Sequence, residues 1–424
     1  MTVLDRGLRL EDVSLENDDF AERVPHETFA LLRREAPVWW YDWPLGQGYW
    51  CVTKHADVVA VSRDTKTFTS EQGANLEDLD EDQRAARQSM LETDPPRHTR
   101  LRGLVGPPFT PRAIKAYELV LRELTAAVLD RALPLREFDF VEEVAKQLPI
   151  RVLARLLGAP DKDTDPLIEW GDRMIGNTDP ELADVLHDSP ESDRYRMLPF
   201  RSPASLELFE YAHRLAAERR REPREDLVSK LVHAEIDGEH LSEREFDTMF
   251  LLLVVAGNET TRQAIAHGML ALMEHRDEWR RLRDDPGLLW RTGADEILRW
   301  SSPVLHFRRT ATRDVELGGR TINAGDKVVV WYVSANFDED VFVDPLRFDV
   351  GRRPNPHVTF GGGGPHYCLG AHLAKLEVQV MFDELLSRLA DIELTASPER
   401  MRTNFTNALK RMPVRVTPAN GGRR

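Results

Sequence analysis

The chain has 424 residues, long enough for several average domains or one large one, and 41% of them are hydrophobic. Lys+Arg 57 against Asp+Glu 72 leaves a net charge of -15, which argues against nucleic acid or an anionic membrane surface as partner. Two cysteines, Cys51 and Cys368, exclude a disulfide framework. The longest apolar run, Met249 to Ala256, falls far short of the roughly 18 residues a membrane span requires. A soluble protein of the reducing cytoplasm is expected.

Residues 1 to 20 are acidic and aperiodic, are expected to be loose, and carry no apolar core of a secretion signal. Trp39-Trp40-Tyr41 and Tyr49-Trp50-Cys51-Val52 flank a Pro- and Gly-containing stretch, which reads as two strands around a turn, with Cys51 a buried structural residue. A short helix begins at His55 and runs to Val61, and residues 71 to 92 are polar and irregular. From Asp94 onward helical periodicity dominates. Thr110-Pro111 supplies an N-cap and a proline at the first helical position, opening a helix to about Leu133. Further helices are expected at 138–157, 165–176, 204–221, 224–235, 242–273, 274–284 and 287–300. Strand-like runs are few: Val315–Leu317, Lys327–Val333 and Val414–Val416. Residues 420–424 read as a frayed tail. The expected class is mainly α, and no interior linker or repeat is found.

The stretch Phe360-Gly-Gly-Gly-Gly-Pro-His-Tyr-Cys368-Leu-Gly370 cannot be helix or regular strand, since glycine adds backbone freedom and proline removes a donor. From Leu369 the spacing turns helical, through Leu373, Leu376 and Val380 to about Leu389. Cys368 thus sits where a glycine-rich loop feeds a helix N-terminus, whose free amides favour a thiolate. A thiolate so placed can attack, oxidise or bind a metal; a buried structural cysteine is the competing reading. A second unusual stretch lies mid-helix, where the apolar run ending in Leu252-Leu-Val-Val-Ala256 meets Gly257, Glu259, Thr260 and Thr261 without a cap or break. An acid and hydroxyls buried there need partners, or each costs a few kcal/mol. Taken alone, the stretch is equally a solvated glutamate followed by a threonine pair.

The cysteine stretch resembles the haem-ligand loop of the cytochrome P-450 family, Phe-Gly-x-Gly-x-His-x-Cys-x-Gly. Gly362, Gly364, His366, Cys368 and Gly370 fall on the family's positions, and Phe360 stands one place early. The resemblance implies the cytochrome P-450 fold, a helix-rich prism with a small β-rich lobe, with residues 21–418 as a single domain. It also implies haem b bound in a loop of Phe360, Gly362, His366 and Gly370, with the Cys368 thiolate as iron ligand, whose electron donation favours O–O cleavage. The mid-helix stretch resembles the family's distal motif, which implies proton delivery by Glu259 and Thr260 and room for dioxygen beside Ala256 and Gly257. Glu296 and Arg299, three apart on one helix face, with Arg347 in Pro345-Leu-Arg347-Phe348, resemble the family's buried charge network. His98 and Arg102, four apart, resemble its propionate-binding helix, with Arg308 and His366 as further propionate ligands; Arg97 and Arg100 are read as solvated.

Leu252, Val255, Val304, Leu305 and Phe405 occupy positions that line the family's pocket, with His306 placed to orient a hydroxyl or keto group. Residues 71–92 correspond to a mobile, substrate-facing loop. The implied activity is monooxygenation: one oxygen atom from dioxygen enters a C–H bond of an apolar terpenoid, branched lipid or steroid. Electrons would come from a ferredoxin and its NAD(P)H-dependent reductase, since no flavin or iron–sulfur domain is appended. The alternatives are a haem-thiolate peroxygenase or isomerase, against which Glu259 and Thr260 argue, and a non-catalytic haem sensor.

Overall fold

The computed structural model describes residues 7–236 and 238–419. Five short strands from distant parts of the chain form the largest sheet: β1 (Val38–Tyr41), β2 (Tyr49–Val52), β3 (Phe68–Thr69), β4 (His306–Ala311) and β5 (Lys327–Trp331). Their order is β1-β2-β5-β4-β3. β1 and β2 form the expected hairpin, with Trp39 opposite Cys51, and β5 adds in parallel to β2. β4 runs antiparallel to β5 and was not legible as a strand. Its sequence, His-Phe-Arg-Arg-Thr-Ala, lacks polar–apolar alternation because it is a central strand, buried along nearly all its length.

Eight helices matter for the site: α1 (His55–Arg63), α2 (Glu81–Arg87), α3 (Arg97–Val105), α4 (Gln147–Leu157), α5 (Thr164–Ile175), α6 (Glu243–Glu274), α7 (Ala294–Ser301) and α8 (Ala371–Arg388). The rest is organised around α6, 32 residues and so roughly 48 Å long. It starts at a capping box: Ser242 accepts from the Glu245 amide, and the Glu245 carboxylate accepts from the Ser242 amide. Its middle is largely buried because α4, α5, α7 and α8 all pack against it.

The helical expectations hold in outline and fail at the joints. The helix from Pro111 breaks at Tyr117, and 138–157 opens with a strand, Glu137–Asp139, paired with Pro413–Pro418, before a π-helical turn leads into α4. Residues 224–235 keep only Leu227–Val232 as helix, and 287–300 begins with a second π-helical turn before α7. β5 ends at Trp331, and Tyr332–Ala335 turns helical where Lys327–Val333 was expected to stay extended.

Residues 7–20 are not loose. Leu15 and Phe20 are fully buried, and the Phe20 ring stacks on Trp331 with centroids 5.9 Å apart. Two apolar anchors hidden in an acidic run are enough to hold the segment. Residues 1–6 and the expected tail lie outside the described residues. Cys51 is buried, and burial pushes its thiol far up. Among the described residues no helix is long and apolar enough to cross a membrane.

Candidate functional site

Cys368 lies three residues before α8, at the end of a loop that only glycine can build. Gly361, Gly363 and Gly364 have φ of +94°, +96° and +78°, a region side chains rarely adopt. The loop closes on itself, the Cys368 amide donating to the Phe360 carbonyl at 2.9 Å. It is also clamped against α1. A Cβ on Gly362 would stand 2.8 Å from the Val59 Cα, and one on Gly364 2.7 Å from the Ser62 carbonyl. Gly370, at the N-cap of α8, would meet nothing within 4 Å, so it contributes space rather than a contact.

Cys368 is solvent-accessible although it sits deep in the molecule. Burial pushes its thiol up, against the Gly370 amide and the charge of Arg102. The helix end therefore does not suffice to make a thiolate; a coordinated metal cation would.

His98 and Arg102 of α3 meet His366 of the loop. The two imidazole rings are 4.3 Å apart, and His366 Nε2 lies 3.3 Å from Ser70 Oγ and 3.6 Å from Asp94 Oδ1. Burial first, then neighbouring positive charge, lowers both, His98 to about 4. Arg308 does not join them. Its side chain lies on the other face of β4, where Nη1 donates to the Glu77 carbonyl at 2.8 Å. Arg309 is the arginine whose charge bears on both histidines. Successive strand residues face opposite sides of a sheet, so the pleat selects Arg309 where the family resemblance had indicated Arg308.

Arg309 is 2% exposed; Nη1 donates to the Arg308 carbonyl at 2.7 Å, and Nε has no partner. Among the described residues no carboxylate pairs with it. A buried guanidinium without counter-charge is costly by several kcal/mol, and His98 Nδ1 is likewise orphaned. Two carboxylates placed beside them would satisfy both, so these residues fit the propionates of a haem whose iron is held by Cys368. Arg309→Ala is expected to raise the rate of haem loss to apomyoglobin about tenfold or more, while Arg308→Ala leaves it near wild type. The reverse order would restore Arg308.

On α6, Thr260 Oγ1 donates to the Ala256 carbonyl at 2.9 Å, one turn back. Glu259 is 3% exposed, accepts from Gln263 Nε2 at 2.9 Å and pairs with Arg262. Arg262 in turn reaches Asp172 of α5 at 2.7 Å. Ala256, Glu259 and Thr260 line a cavity of about 1120 Å³, a volume that includes space open to solvent. Gly257 does not face it: a Cβ there would come into ordinary contact with the Leu153 side chain of α4 at 3.4 Å.

Leu252, Val255, Val304 and Phe405 stand in the cavity wall, as expected. Leu305 does not; it is fully buried in the core with Val329 and Trp331. His306, on the outer face of β4, lines a second cavity of about 760 Å³ rather than the first. Its ring packs against Trp331, neither nitrogen meets hydrogen-bonding geometry although Asn404 is adjacent, and burial lowers it to about 3. The roof is the segment 71–92. It is ordered around α2, whose N-cap Asp80 accepts from the Gln83 amide.

Below these elements Glu296 and Arg299 of α7 form a bidentate pair at 2.8 Å, both fully buried. The third member is not Arg347, which is exposed. Arg352 takes the place, its Nε 3.2 and 3.1 Å from the Glu296 oxygens. Only the Arg347 carbonyl takes part, accepting from Arg352 Nη2 at 2.7 Å. Sequence spacing carried no signal for Arg352; Arg309 was available from strand alternation had β4 been recognised.

The family model described as Cytochrome P-450 matches residues 294–414. A steroid C26-monooxygenase of Rhodococcus jostii (strain RHA1) is 41% identical over 416 residues, covering 96% of this chain and 84% of that protein. A methyl-branched lipid omega-hydroxylase of Mycobacterium tuberculosis is 40% identical over 422 residues, covering 96% and 95%. A Mycobacterium marinum cytochrome P-450 solved with pseudoionone has a TM-score of 0.87 to this structure at 40% identity, over 97% of this chain and 99% of that one. With relatives this similar over nearly its whole length, the chain belongs to the cytochrome P-450 family and is a haem-dependent monooxygenase.

Proposed function

We propose that the chain holds haem b through the Cys368 thiolate, with its propionates received by His98, Arg102, Arg309 and His366. It inserts one oxygen atom from dioxygen into an aliphatic C–H bond of a terpenoid, branched lipid or steroid. A ferredoxin and its NAD(P)H-dependent reductase supply the electrons, in the cytoplasm. The observation that carries this reading is the unpaired, buried guanidinium of Arg309 beside two histidines and an accessible cysteine. When bound, the haem supplies the oxidant for an unactivated C–H bond.

The chain's own residues bind, exclude water and handle protons. Leu252, Val255, Val304 and Phe405 give the cavity wall an apolar surface. Burying an apolar skeleton there gains about 25 cal/mol per Å². The named substrates of the relatives, a steroid and a methyl-branched lipid, have such skeletons. Thr260 presents a hydroxyl at the wall, and the Glu259 carboxylate one residue away, oriented by Gln263 and Arg262, is the group that can take up a proton and hand it on. Thr260 must turn from the Ala256 carbonyl to pass a proton onward. Thr260→Ala is expected to bind substrate normally, while product per NAD(P)H consumed falls about tenfold or more and peroxide rises to match. Unchanged coupling would remove Thr260 from the relay.

The substrate class is tested by titrating terpenes, fatty acids, steroids and polar macrolides while following the haem spin state. Shifts from the first three groups are expected. Shifts confined to glycosylated macrolides would overturn the apolar reading.

A further inference from the structure

The first cavity is apolar around α6 but not at its roof. There, Arg84 and Arg87 of α2 line it together with Glu77 and Gln88. Glu77 is the hub of this roof. Its Oε1 is 2.6 Å from Arg201 Nε, and its Oε2 is 2.6 Å from Arg87 Nη2 and 3.4 Å from His187 Nε2. Burial works to raise the Glu77 carboxyl, yet hydrogen bonds from His187 and Arg87 hold it well below the usual range. It is therefore ionised and already matched by two guanidiniums.

Arg84 is the third guanidinium at this roof. Among the described residues it pairs with no carboxylate. Its side-chain hydrogen bond is from Nη1 to the Leu79 carbonyl, 2.6 Å, which leaves most of its donor fork open. Arg84 is half-buried and lines the cavity, so Nε and Nη2 are open to a ligand there. Three further acids touch the cavity: Glu259, paired with Arg262 on α6, and Glu71 and Glu92 at the roof. Burial pushes the Glu92 carboxyl up and Ser89 holds it, while Glu71 is exposed. None of them pairs with Arg84, so among the described residues its guanidinium has no carboxylate partner, whereas Arg87 and Arg201 share Glu77.

We propose that this roof receives a carboxylate carried by the substrate, with Arg84 as its forked partner. The substrate is then an amphipathic acid whose apolar end lies at Ala256 and Thr260, and oxidation falls on the end remote from the acid. This deepens the reading of the cavity as the substrate site and rests on it. The planar guanidinium matches a carboxylate in two parallel hydrogen bonds, whereas a neutral apolar head would desolvate those donors without replacing their partners. Arg84 is a specificity residue here, remote from the reacting carbon.

The test compares palmitic acid with methyl palmitate at pH 8, by calorimetry and by haem spin state, on the holoenzyme. The wild type is expected to bind the acid at least about tenfold more tightly than the ester. Arg84→Ala should lose that preference by weakening the acid, with the ester within about twofold of wild type, and Arg84→Lys should recover part of it. Equal affinity of acid and ester in the wild type, or equal weakening of both by Arg84→Ala, overturns the proposal and leaves the cavity reading intact. Failure of both ligands to bind the wild type overturns the cavity reading, and this proposal with it.

Discussion

Replacing Cys368 with serine is expected to abolish the red-shifted Soret band of the reduced, carbon monoxide-bound protein, while Cys51→Ser keeps it. The two cysteines differ in every respect that ligation requires. Cys51 is walled in by the strands of the sheet and its thiol is pushed far up by burial alone. Cys368 is accessible, and its backbone is fixed by a hydrogen bond to Phe360 and by glycines pressed against α1. Burial raises its thiol as well, but the Gly370 amide and Arg102 oppose that rise, and a metal cation would complete the deprotonation. Serine keeps the size and the loop while removing the soft donor, so the loop should persist and the thiolate spectrum should vanish. Retention of the band in Cys368→Ser with its loss in Cys51→Ser would reverse the assignment.

What the sequence disclosed depended on whether the chemistry was local. The cysteine loop was legible because its glycines answer to φ and to close approach, both properties of the loop itself. The distal stretch was legible because an acid and a hydroxyl interrupt an apolar helix, and Ala256, Glu259 and Thr260 do share one cavity. Gly257 shows the limit of that reading. Its neighbour Leu153 comes from α4, about a hundred positions earlier, and no local pattern announces that contact.

Three of the errors have a common cause. Arg308, Leu305 and His306 all sit on or beside β4, a strand that its sequence conceals; once the strand is missed, which residues face the haem side is a guess by spacing. The pleat then sends His306 and Arg308 outward and leaves Phe307 in the cavity wall and Arg309 beside the histidines. The segment 71–92 was read as irregular because its order comes from long-range charge contacts. Glu77 reaches Arg201, Asp80 reaches Arg196, and Arg308 reaches the Glu77 carbonyl.

Arg352→Ala should destabilise the protein by about 3–5 kcal/mol, whereas Arg347→Ala should stay within about 0.5 kcal/mol of wild type. Glu296 is fully buried and receives Arg299 in a two-point contact, the Arg352 guanidinium, the Asn355 side chain at 3.1 Å and the Asp349 amide at 3.0 Å. Arg352 also ties down the chain between 343 and 347, donating to the carbonyls of Val343 and Asp344 at 2.7 and 3.1 Å and to that of Arg347. Its removal leaves one buried cation against one buried anion but takes one of five N–H donors from Glu296 and strips the Val343 and Asp344 carbonyls of this partner, and an unmade bond in a dry interior costs more than an intact one contributes. Arg347 donates nothing to this cluster from its side chain, so truncating it removes only surface charge. Denaturant midpoints of the two variants separate the cases, because their slopes should match that of the wild type. A larger loss from Arg347→Ala than from Arg352→Ala would return the network to the arginine that the sequence motif had indicated.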